Sequence, residues 1–241
     1  ARIRTMVREL QPDDLLLALI SGGGSSLLSL PVPGIDMGEL REVTSTLLRC
    51  GAPIQDINTV RKHLSLVQGG RLAAECRAPV VALIISDVTG DGPTHVASGP
   101  CAPDPTTFED ALGVLERFSV TPPIRVGALL ESGARGAIQE TPKPGDACFG
   151  RVENRVIATS HDALDSACAY FENLGIFSRI LGDSVNGEAR EVAKVYGALA
   201  REIRQHSSPW PTPVALISGG ETTVTVRGSG RGGRNCEYLL S

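Results

Sequence analysis

Three short apolar runs, each followed by a loop rich in glycine, serine or aspartate, limit the folds open to this chain. The runs cover residues 15–20, 79–85 and 214–217. They have the length of strands and are too short for buried helices, and an unbroken apolar run is typical of a strand that is buried on both faces. Longer segments with helical spacing separate them. The pattern therefore predicts a layered α/β fold with a mostly parallel sheet, in which loops at the carboxyl ends of strands form a site.

The remaining elements are predicted from periodicity, capping residues and proline or glycine breaks. Helices are expected at 37–50, 71–76, 122–132 and 163–174, with a long helix that ends near residue 205. Further strands are expected at 152–159 and 177–181. Strands that alternate with helices of this length favour parallel pairing with helical crossovers.

The first run ends in a loop of small residues, Ser-Gly-Gly-Gly-Ser-Ser, at 21–26. Glycines let a backbone approach a ligand closely, and a helix beginning near Ser25 would add free N–H groups that favour a phosphate or carboxylate. The alternative is a tight strand-to-helix connection that binds nothing. The loop has neither the lysine of a Walker loop nor the spacing of a dinucleotide fingerprint.

The second run is followed by two carboxylates, Asp87 and Asp91, on a loop that also contains Gly90 and Gly92. Carboxylate oxygens suit Mg²⁺, which commonly keeps waters and substrate phosphates as its other ligands. One of the two aspartates could instead accept a proton from a hydroxyl nucleophile. The alternative is an Asx-turn pair that only shapes the loop.

The third run leads into the segment with the densest group of candidate binding residues. A turn is expected at 218–221, then a second β-rich run at 222–226, and then Arg227, Arg231 and Arg234 interleaved with glycines before a helix near Asn235. Guanidinium groups match phosphate or carboxylate oxygens bidentately, so this segment predicts an anion-binding cradle. A glycine-rich loop with solvated arginines is the alternative.

A fourth candidate lies between the first two runs, where Asn58, Arg61 and Lys62 stand three and four residues apart. On a helix beginning near Asn58 they would share one face, and two cations beside an amide could grip an anion. A solvated basic turn explains the same residues. We expect the loops after the three apolar runs to meet at one edge of a single sheet.

Composition excludes several classes of protein. The formal net charge is −4 with both signs well mixed, which argues against a general nucleic-acid or membrane-surface binder. No apolar run approaches the roughly 20 residues of a membrane span, and a cytoplasmic location is expected. Six scattered cysteines without a CxxC pair favour free thiols over a disulfide framework or a zinc site. With no cysteine or histidine constellation among the loops, their chemistry favours phosphoryl transfer over covalent hydrolysis.

At this point five motifs in order resemble the glycerate 2-kinase family, also called the MOFRL glycerate kinases and formerly named hydroxypyruvate reductases. They read LISGGGSSLL, NTVRKHLSLVQGGRLA, IISDVTGDGPTHVASGPCAPDPTTF, GEAREVA and SGGETTVTVRGSGRGGRNCE, and they extend from about residue 15 to residue 241. The resemblance implies ATP-dependent phosphorylation of D-glycerate at its 2-hydroxyl, with a divalent cation such as Mg²⁺. It also implies a larger Rossmann-like domain and a smaller second α/β domain.

The sequence departs from the family pattern at three positions. Cys236 stands where members usually have glutamine, and Thr89 and Gly92 alter the aspartate loop. Members also have roughly a further hundred residues before this start, including an active-site lysine, and more of the second domain after this end. We therefore expect an internal piece of a longer protein, with a Rossmann-like domain at 1–210 and the start of a MOFRL-type domain at 211–241.

The predicted site combines these loops. Asp87, Asp91 and Arg234 are the candidate catalytic residues, and the two aspartates are also the candidate metal ligands. The candidate binding residues for substrate or nucleotide are Ser21, Gly22, Gly23, Gly24, Ser25, Ser26, Asn58, Arg61, Lys62, Gly219, Gly220, Glu221, Arg227, Arg231 and Asn235. Two alternatives stay open: an NAD(P)H-dependent hydroxypyruvate reductase, although no GxGxxG turn is found, and a non-catalytic anion-binding module. The expected partner is the small acid, and a homodimer is left open.

Overall fold

Residues 1–88, 90, 92–225 and 231–241 are described by the structure, which is a computed structural model. Contacts divide the chain into two units, Ala1–Ile157 and Ala158–Ser241. The sequence predicts a boundary at 210/211, which is a different position. That boundary separates the two family domains, and it stays a prediction. The described residues form a mixed α/β structure with parallel strand pairs, so the predicted fold class is confirmed.

The first unit is built on a three-stranded sheet in the order β1-β2-β3. Its strands are β1 (Leu16–Ser21), β2 (Val80–Ile85) and β3 (Val152–Ala158), and its helices are α1 (Arg2–Glu9), α2 (Gly24–Leu27), α3 (Met37–Arg49), α4 (Ile54–His63), α5 (Arg71–Ala74), α6 (Phe108–Arg117) and α7 (Ile124–Ala134). Short 3₁₀ turns lie at Val96–Ser98 and Ala147–Arg151. Strands β1 and β2 are parallel, with Leu16 opposite Val80 and Ser21 opposite Ile85.

The second unit contains a two-stranded parallel sheet and three helices among its described residues. The strands are β4 (Phe177–Glu188) and β5 (Val214–Thr223), and the helices are α8 (Ser160–Asn173), α9 (Ala189–His206) and α10 (Arg234–Leu240). Strand β4 is longer than the predicted 177–181, because its pairing with β5 continues across two register shifts to Glu188 opposite Thr223.

Local capping explains where two of the first unit's helices begin. At α3 the Asp36 side chain accepts a hydrogen bond from the Glu39 N–H, and the Glu39 carboxylate accepts one from the Asp36 N–H. Thr107 and Asp110 make the same reciprocal pair at α6. Each capping box satisfies N–H groups that a helix start would otherwise leave unpaired.

Two apolar clusters form the core of the first unit. One joins α3, α4, α6 and α7 around Leu47, Val60, Phe108 and Leu130, and all four side chains are fully buried. The other packs on the sheet, where alternate residues of β1 (Leu16, Ala18 and Ile20) contact it. Helix packing thus fixes α4, whose polar side chains reach the candidate site.

The expectation that β1 is buried on both faces is wrong. Its residues alternate, and Leu17 and Leu19 on the opposite face are 53% and 75% exposed. The physical reason is that the core cluster contacts only the face that carries Leu16, Ala18 and Ile20. An unbroken apolar run therefore identified the strand correctly but overstated its burial.

The expectation that all three apolar runs share one sheet is also wrong. Strand β5 pairs with β4, and β1 pairs with β2 in a separate sheet. Residues 218–221 do not form a turn either, because β5 continues through them to Thr223. A Cβ at Gly220 would overlap the backbone of Val185 on β4, so the glycine is required by close strand pairing.

No helix within the described ranges combines the length and apolar character that crossing a membrane requires.

Replacement of Leu47 tests the helical core. Leu47 is 0% exposed, so we expect Leu47→Ala to lower the free energy of unfolding by about 2–5 kcal/mol, because a cavity remains where the side chain packed. The neighbouring Leu48 on the same helix is 58% exposed, and Leu48→Ala should cost less than about 0.5 kcal/mol. Urea unfolding followed by circular dichroism measures both. Equal losses for the two variants would contradict this packing.

Candidate functional site

The loop after β1 and the loop after β2 lie side by side, as the sequence predicted for these two. Ser21 and Ile85 are register partners, so the chain leaves both strands at the same edge of the sheet. The Asp87 carboxylate occupies the space that a side chain at residue 22 would need, because a Cβ built on Gly22 would overlap it. Only glycine at this position allows the carboxylate to rest against the loop backbone.

The rest of the first loop is a single helical turn. Gly23 adopts a left-handed conformation (φ 73°), and α2 spans only Gly24–Leu27. The Ser26 hydroxyl donates a hydrogen bond of 2.7 Å to the Gly23 carbonyl oxygen. The predicted helix at Ser25 thus exists, but it ends after one turn and presents few free N–H groups.

Arg61 of α4 fastens this turn. Its Nη2 donates to the Ser25 carbonyl oxygen at 2.6 Å and its Nη1 to the Ser25 hydroxyl oxygen at 3.3 Å. Gln68 donates through Nε2 to the Leu28 carbonyl oxygen at 3.0 Å. Burial lowers the pKa of the Arg61 guanidinium, which nevertheless stays protonated because arginine titrates far above neutral pH. Arg61 therefore brings a positive charge to the edge where Asp87 lies.

Asn58 of the same helix holds a strained segment that follows the Asp87 loop. Ala97 and Ser98 have φ values of 52° and 58°, in the left-handed region that non-glycine residues adopt at a cost of roughly 1–2 kcal/mol each. The Ser98 hydroxyl donates to the Asn58 side-chain oxygen at 2.9 Å, and the Ser98 carbonyl accepts from the Gly69 N–H at 3.0 Å. Backbone strain of this kind is concentrated at functional sites.

This strained segment contacts the first loop as well. A Cβ built on Gly24 would lie 3.0 Å from the Cβ of Ala97, so the two backbones approach closely. The 21–26 loop, Asp87 and residues 97–98 therefore form one continuous group, which we call the edge site. It lies entirely within the first unit.

Lys62 is enclosed and makes an internal ion pair. Its side chain is 2% exposed, and Nζ donates to the Thr94 hydroxyl at 2.9 Å and to Asp104 Oδ1 at 3.3 Å. Burial lowers the pKa of the Lys62 ammonium, an effect that the Asp104 charge opposes. Burial alone would raise the pKa of the Asp104 carboxyl, but the Lys62 charge and the hydrogen bonds from Thr106 bring it below its usual range.

The predicted group of Asn58, Arg61 and Lys62 therefore lies on α4, which begins at Ile54, earlier than expected. All three side chains bind other segments of the chain. Sequence reasoning missed their partners Thr94, Ser98 and Asp104, because no local pattern links them to α4. A direct role of the three in ligand binding stays a prediction.

His95 lies between Lys62's partner Thr94 and the strained segment, and sequence reasoning gave it no role. Its Nδ1 is buried and has no hydrogen-bond partner among the described residues. Burial, and then the charge of Lys62, lower the pKa of its imidazole, so the ring is neutral near pH 7. A buried nitrogen in this state is a feature that only the folded structure reveals.

In the second unit, some of the predicted residues line a pocket of about 420 Å³ formed by β4, β5, α9 and α10. Ser218, Gly219 and Gly220 line it from the strand, and Arg234 and Asn235 line it from α10. Arg234 Nη1 donates to Glu221 Oε1 at 2.6 Å, so the two predicted residues form an ion pair at the surface. Arg231 is exposed ahead of α10, whereas Arg227 and Asp91 lie outside the described residues.

A metal site of three or more histidine, cysteine or acidic side chains is not found within the described ranges. Asp87 is the described member of the predicted metal pair. Mg²⁺ in phosphoryl-transfer sites is commonly held by one or two carboxylates together with substrate phosphates and water. The donor chemistry of the edge site fits that mode, in which the protein supplies few ligands.

Comparison with known proteins places two family models on this chain. A domain of unknown function, DUF4147, matches residues 1–131, and the MOFRL family matches residues 214–241. The chain is 44% identical over its whole length to a protein of Agrobacterium vitis with the provisional name hydroxypyruvate reductase, and 43% identical to a D-glycerate 2-kinase of Thermotoga maritima. It spans 54% and 55% of those two relatives.

A solved structure agrees with these similarities. The crystal structure of a glycerate kinase from Thermotoga maritima is 42% identical and superimposes with a TM-score of 0.78. The match covers 99% of this chain and 55% of the crystallised one. The chain thus spans about half the length of these two relatives and of the crystallised protein.

Removal of the Lys62 charge tests the buried pair. We expect Lys62→Met to lower the free energy of unfolding at pH 7 by about 3–5 kcal/mol, because Asp104 remains buried without its cation. In the variant, burial raises the pKa of Asp104, so the carboxyl becomes protonated at a higher pH than in the native protein. The difference in free energy of unfolding between the native protein and Lys62→Met should therefore become smaller as the pH falls through the region around 4, because the usual pKa of aspartate is about 3.9.

Lys194→Met provides the matched control for that measurement. Lys194 pairs with Glu191 at 2.9 Å on the surface of α9, and both side chains are about 60% exposed. Its loss should cost less than about 1 kcal/mol at every pH. Urea unfolding between pH 3 and pH 8 compares the two variants. A Lys62→Met loss that stayed constant across this range would show that Asp104 does not depend on Lys62.

Proposed function

This chain belongs to the family of glycerate kinases that contain the DUF4147 and MOFRL domains, and on that basis we propose that the complete protein is a glycerate 2-kinase. The proposed reaction transfers the γ-phosphoryl group of ATP to the 2-hydroxyl of D-glycerate and gives 2-phosphoglycerate and ADP. Relatives named D-glycerate 2-kinase and glycerate 2-kinase, at 43% and 40% identity, support it.

One observation carries the assignment to this chain, namely the Asp87 carboxylate packed against the Gly22 backbone. Phosphoryl transfer needs a positioned nucleophile and neutralisation of charge, and it needs little covalent chemistry from the protein. The Asp87 carboxylate beside the glycine loop can position a hydroxyl nucleophile. The Arg61 cation, which is bonded to the same loop, can neutralise negative charge. The edge site therefore suits a small hydroxy acid.

In the proposed mechanism, the glycerate 2-hydroxyl oxygen attacks the γ-phosphorus while the bond from that phosphorus to the β,γ-bridging oxygen breaks. ADP leaves with the bridging oxygen, and the hydroxyl proton passes to a base. Asp87 is our candidate for that base, since its carboxylate lies at the loop where the substrate would bind. The glycines of the loop at 21–26 let an anionic group of the substrate approach the backbone.

Mg²⁺ would neutralise charge on the phosphate oxygens when it is bound. Asp87 is the described residue that could hold it, and Asp91 is the second candidate from the sequence. Asp87 would then orient the reacting groups rather than accept the proton. Roles for Arg227, Arg231, Arg234 and Asn235 in neutralising the phosphoryl group, a homodimer and a cytoplasmic location all stay predictions.

An assay of the complete natural protein tests the reaction. We expect D-glycerate, ATP and Mg²⁺ to give ADP and 2-phosphoglycerate, with the phosphate position identified by ³¹P NMR. Chelation of divalent cations should abolish turnover. Oxidation of NADH with hydroxypyruvate, without ADP formation from glycerate, would identify a reductase instead. ATP binding without turnover on glycerate would favour the non-catalytic alternative.

Replacement of Gly22 tests the edge site. We expect Gly22→Ala to lower kcat/KM for D-glycerate on the order of a hundredfold, because the new Cβ overlaps the Asp87 carboxylate and displaces it. Gly113→Ala is the control, since open space surrounds Gly113 inside α6 and alanine favours a helix there. Steady-state kinetics on both variants give the answer. Native kcat/KM for Gly22→Ala would remove Asp87 and this loop from the site.

A further inference from the structure

We propose that the pocket in the second unit binds the nucleotide, with Tyr196 and Tyr238 packing against its aromatic base and Arg234 binding its phosphates. The inference rests on the proposed function, because it assigns one of the two substrates to this pocket. The ligand class is a nucleoside triphosphate or diphosphate. Among the described residues, those that line the pocket all lie in the second unit.

The pocket lining combines polar groups with aromatic and aliphatic surface. Strand β5 contributes residues 218–220 and Thr222, α10 contributes Arg234 and Asn235, and the apolar members are Val185, Val192, Tyr196 and Tyr238. The two kinds are interspersed, since Val185 is the register partner of Gly220 on the neighbouring strand. A nucleotide has an aromatic base and a chain of anionic phosphates, so it offers a partner to both kinds of residue.

The two tyrosines form an aromatic corner. Their ring centroids are 6.2 Å apart with an interplanar angle of 62°, an edge-to-face arrangement typical of favourable aromatic pairs. Tyr196 comes from α9 and Tyr238 from α10, so the pair also joins these helices. Burial and the neighbouring phenol raise the pKa of Tyr238, which keeps that phenol uncharged at neutral pH.

Volume and surface chemistry favour a nucleotide over glycerate. The pocket is an open cleft with a volume of about 420 Å³. A three-carbon hydroxy acid would fill only part of it and has no aromatic surface to place against the tyrosines. Base–aromatic stacking, by contrast, is favourable for every base because each has a π face.

Arg234 provides the anion contact. Its Nη1 donates to Glu221 Oε1, and a guanidinium group has four further N–H donors that can bind phosphate oxygens. Glu221 is exposed, so the pair lies at the rim, and it orients the guanidinium fork without burying it. Arg234 and Tyr238 lie four residues apart on α10, so they share one face of the helix and would contact the phosphates and the base of one nucleotide.

Kinetics of tyrosine variants of the complete protein test the assignment. We expect Tyr196→Ala and Tyr238→Ala each to raise KM for ATP about tenfold and to leave KM for D-glycerate within about twofold, since one stacking surface is lost. Tyr196→Phe and Tyr238→Phe should keep native values, because the ring rather than the hydroxyl makes the contact. Unchanged KM for ATP in the alanine variants, with glycerate kinase activity intact, would overturn the pocket assignment and leave the proposed function standing.

Tyr170→Ala is the matched control. Tyr170 is the third tyrosine of the chain, it lies on α8 of the same unit, and it does not line the pocket. Its replacement should leave both KM values unchanged. A rise in KM for ATP equal to that of the pocket variants would also overturn the inference, because the effect would then not be specific to the pocket.

Direct binding separates this inference from the proposed reaction. Titration calorimetry with ATP and with inorganic tripolyphosphate measures affinity whether or not glycerate is phosphorylated. Tyr196→Ala should lower the affinity for ATP about tenfold and leave the affinity for tripolyphosphate unchanged, because tripolyphosphate has no base. Equal weakening of both probes, or no ATP binding by the native protein, would overturn the assignment. If Tyr196→Ala loses affinity for ATP while the native protein shows no glycerate kinase activity, the pocket assignment is supported and the proposed reaction is rejected. Circular dichroism identifies any alanine variant that fails to fold. Tyr196→Trp then replaces that variant, because it keeps an aromatic surface while changing its shape. It is expected to change KM for ATP and to leave KM for D-glycerate unchanged.

Discussion

The hydrogen bonds that α4 makes to three other segments hold the first unit's site together. Arg61 binds the loop after β1, Asn58 binds the strained segment at 97–98, and Lys62 binds Thr94 and Asp104. Each acceptor or donor belongs to a segment without regular strand pairing of its own. Because α4 is fixed by Ile57 and Val60 in the helical core, the packing of apolar side chains determines the positions of polar groups at the sheet edge.

The buried Lys62–Asp104 pair illustrates why such an arrangement is specific. Desolvation of two charges is costly, and their mutual attraction offsets it only when the remaining hydrogen-bonding capacity is used. Asp104 also accepts from the Thr106 N–H and from the hydroxyls of Thr106 and Thr141, so its oxygens are satisfied. A displaced α4 would separate the Lys62 and Asp104 charges and leave each of them buried without the other. The pair thus favours one position of the helix over others, and Arg61 and Asn58 share that position.

Sequence reasoning identified the elements whose signals are local. The predicted helix at 37–50 is α3 (Met37–Arg49), the predicted strand at 79–85 is β2 (Val80–Ile85), and the loops after β1 and β2 were expected to meet as they do. Tertiary pairing was not accessible in the same way. The sequence 218–221 has the same Ser-Gly-Gly as 21–23, but in β5 the glycine at 220 accommodates the backbone of Val185, whereas Gly22 accommodates the Asp87 side chain. The same local sequence thus accommodates a different long-range contact at each of the two places.

The same limit explains why the strained segment could not be predicted. Ala97 and Ser98 are residues that ordinarily avoid left-handed backbone, and their sequence gives no sign of it. The conformation persists because contacts distant in the chain compensate for it: Asn58 accepts from Ser98, and the Gly69 and Gly70 N–H groups donate to the carbonyls of Ser98 and Gly99. Gly69 and Gly70 themselves have φ values of 59° and 78°, so two glycines supply the backbone geometry that lets Ser98 keep its own. The hydrogen bonds to Asn58 and from the two glycines therefore stabilise the strained backbone at 97–98. In the folded chain this segment can thus lie next to Gly24 in a conformation that it would not adopt alone.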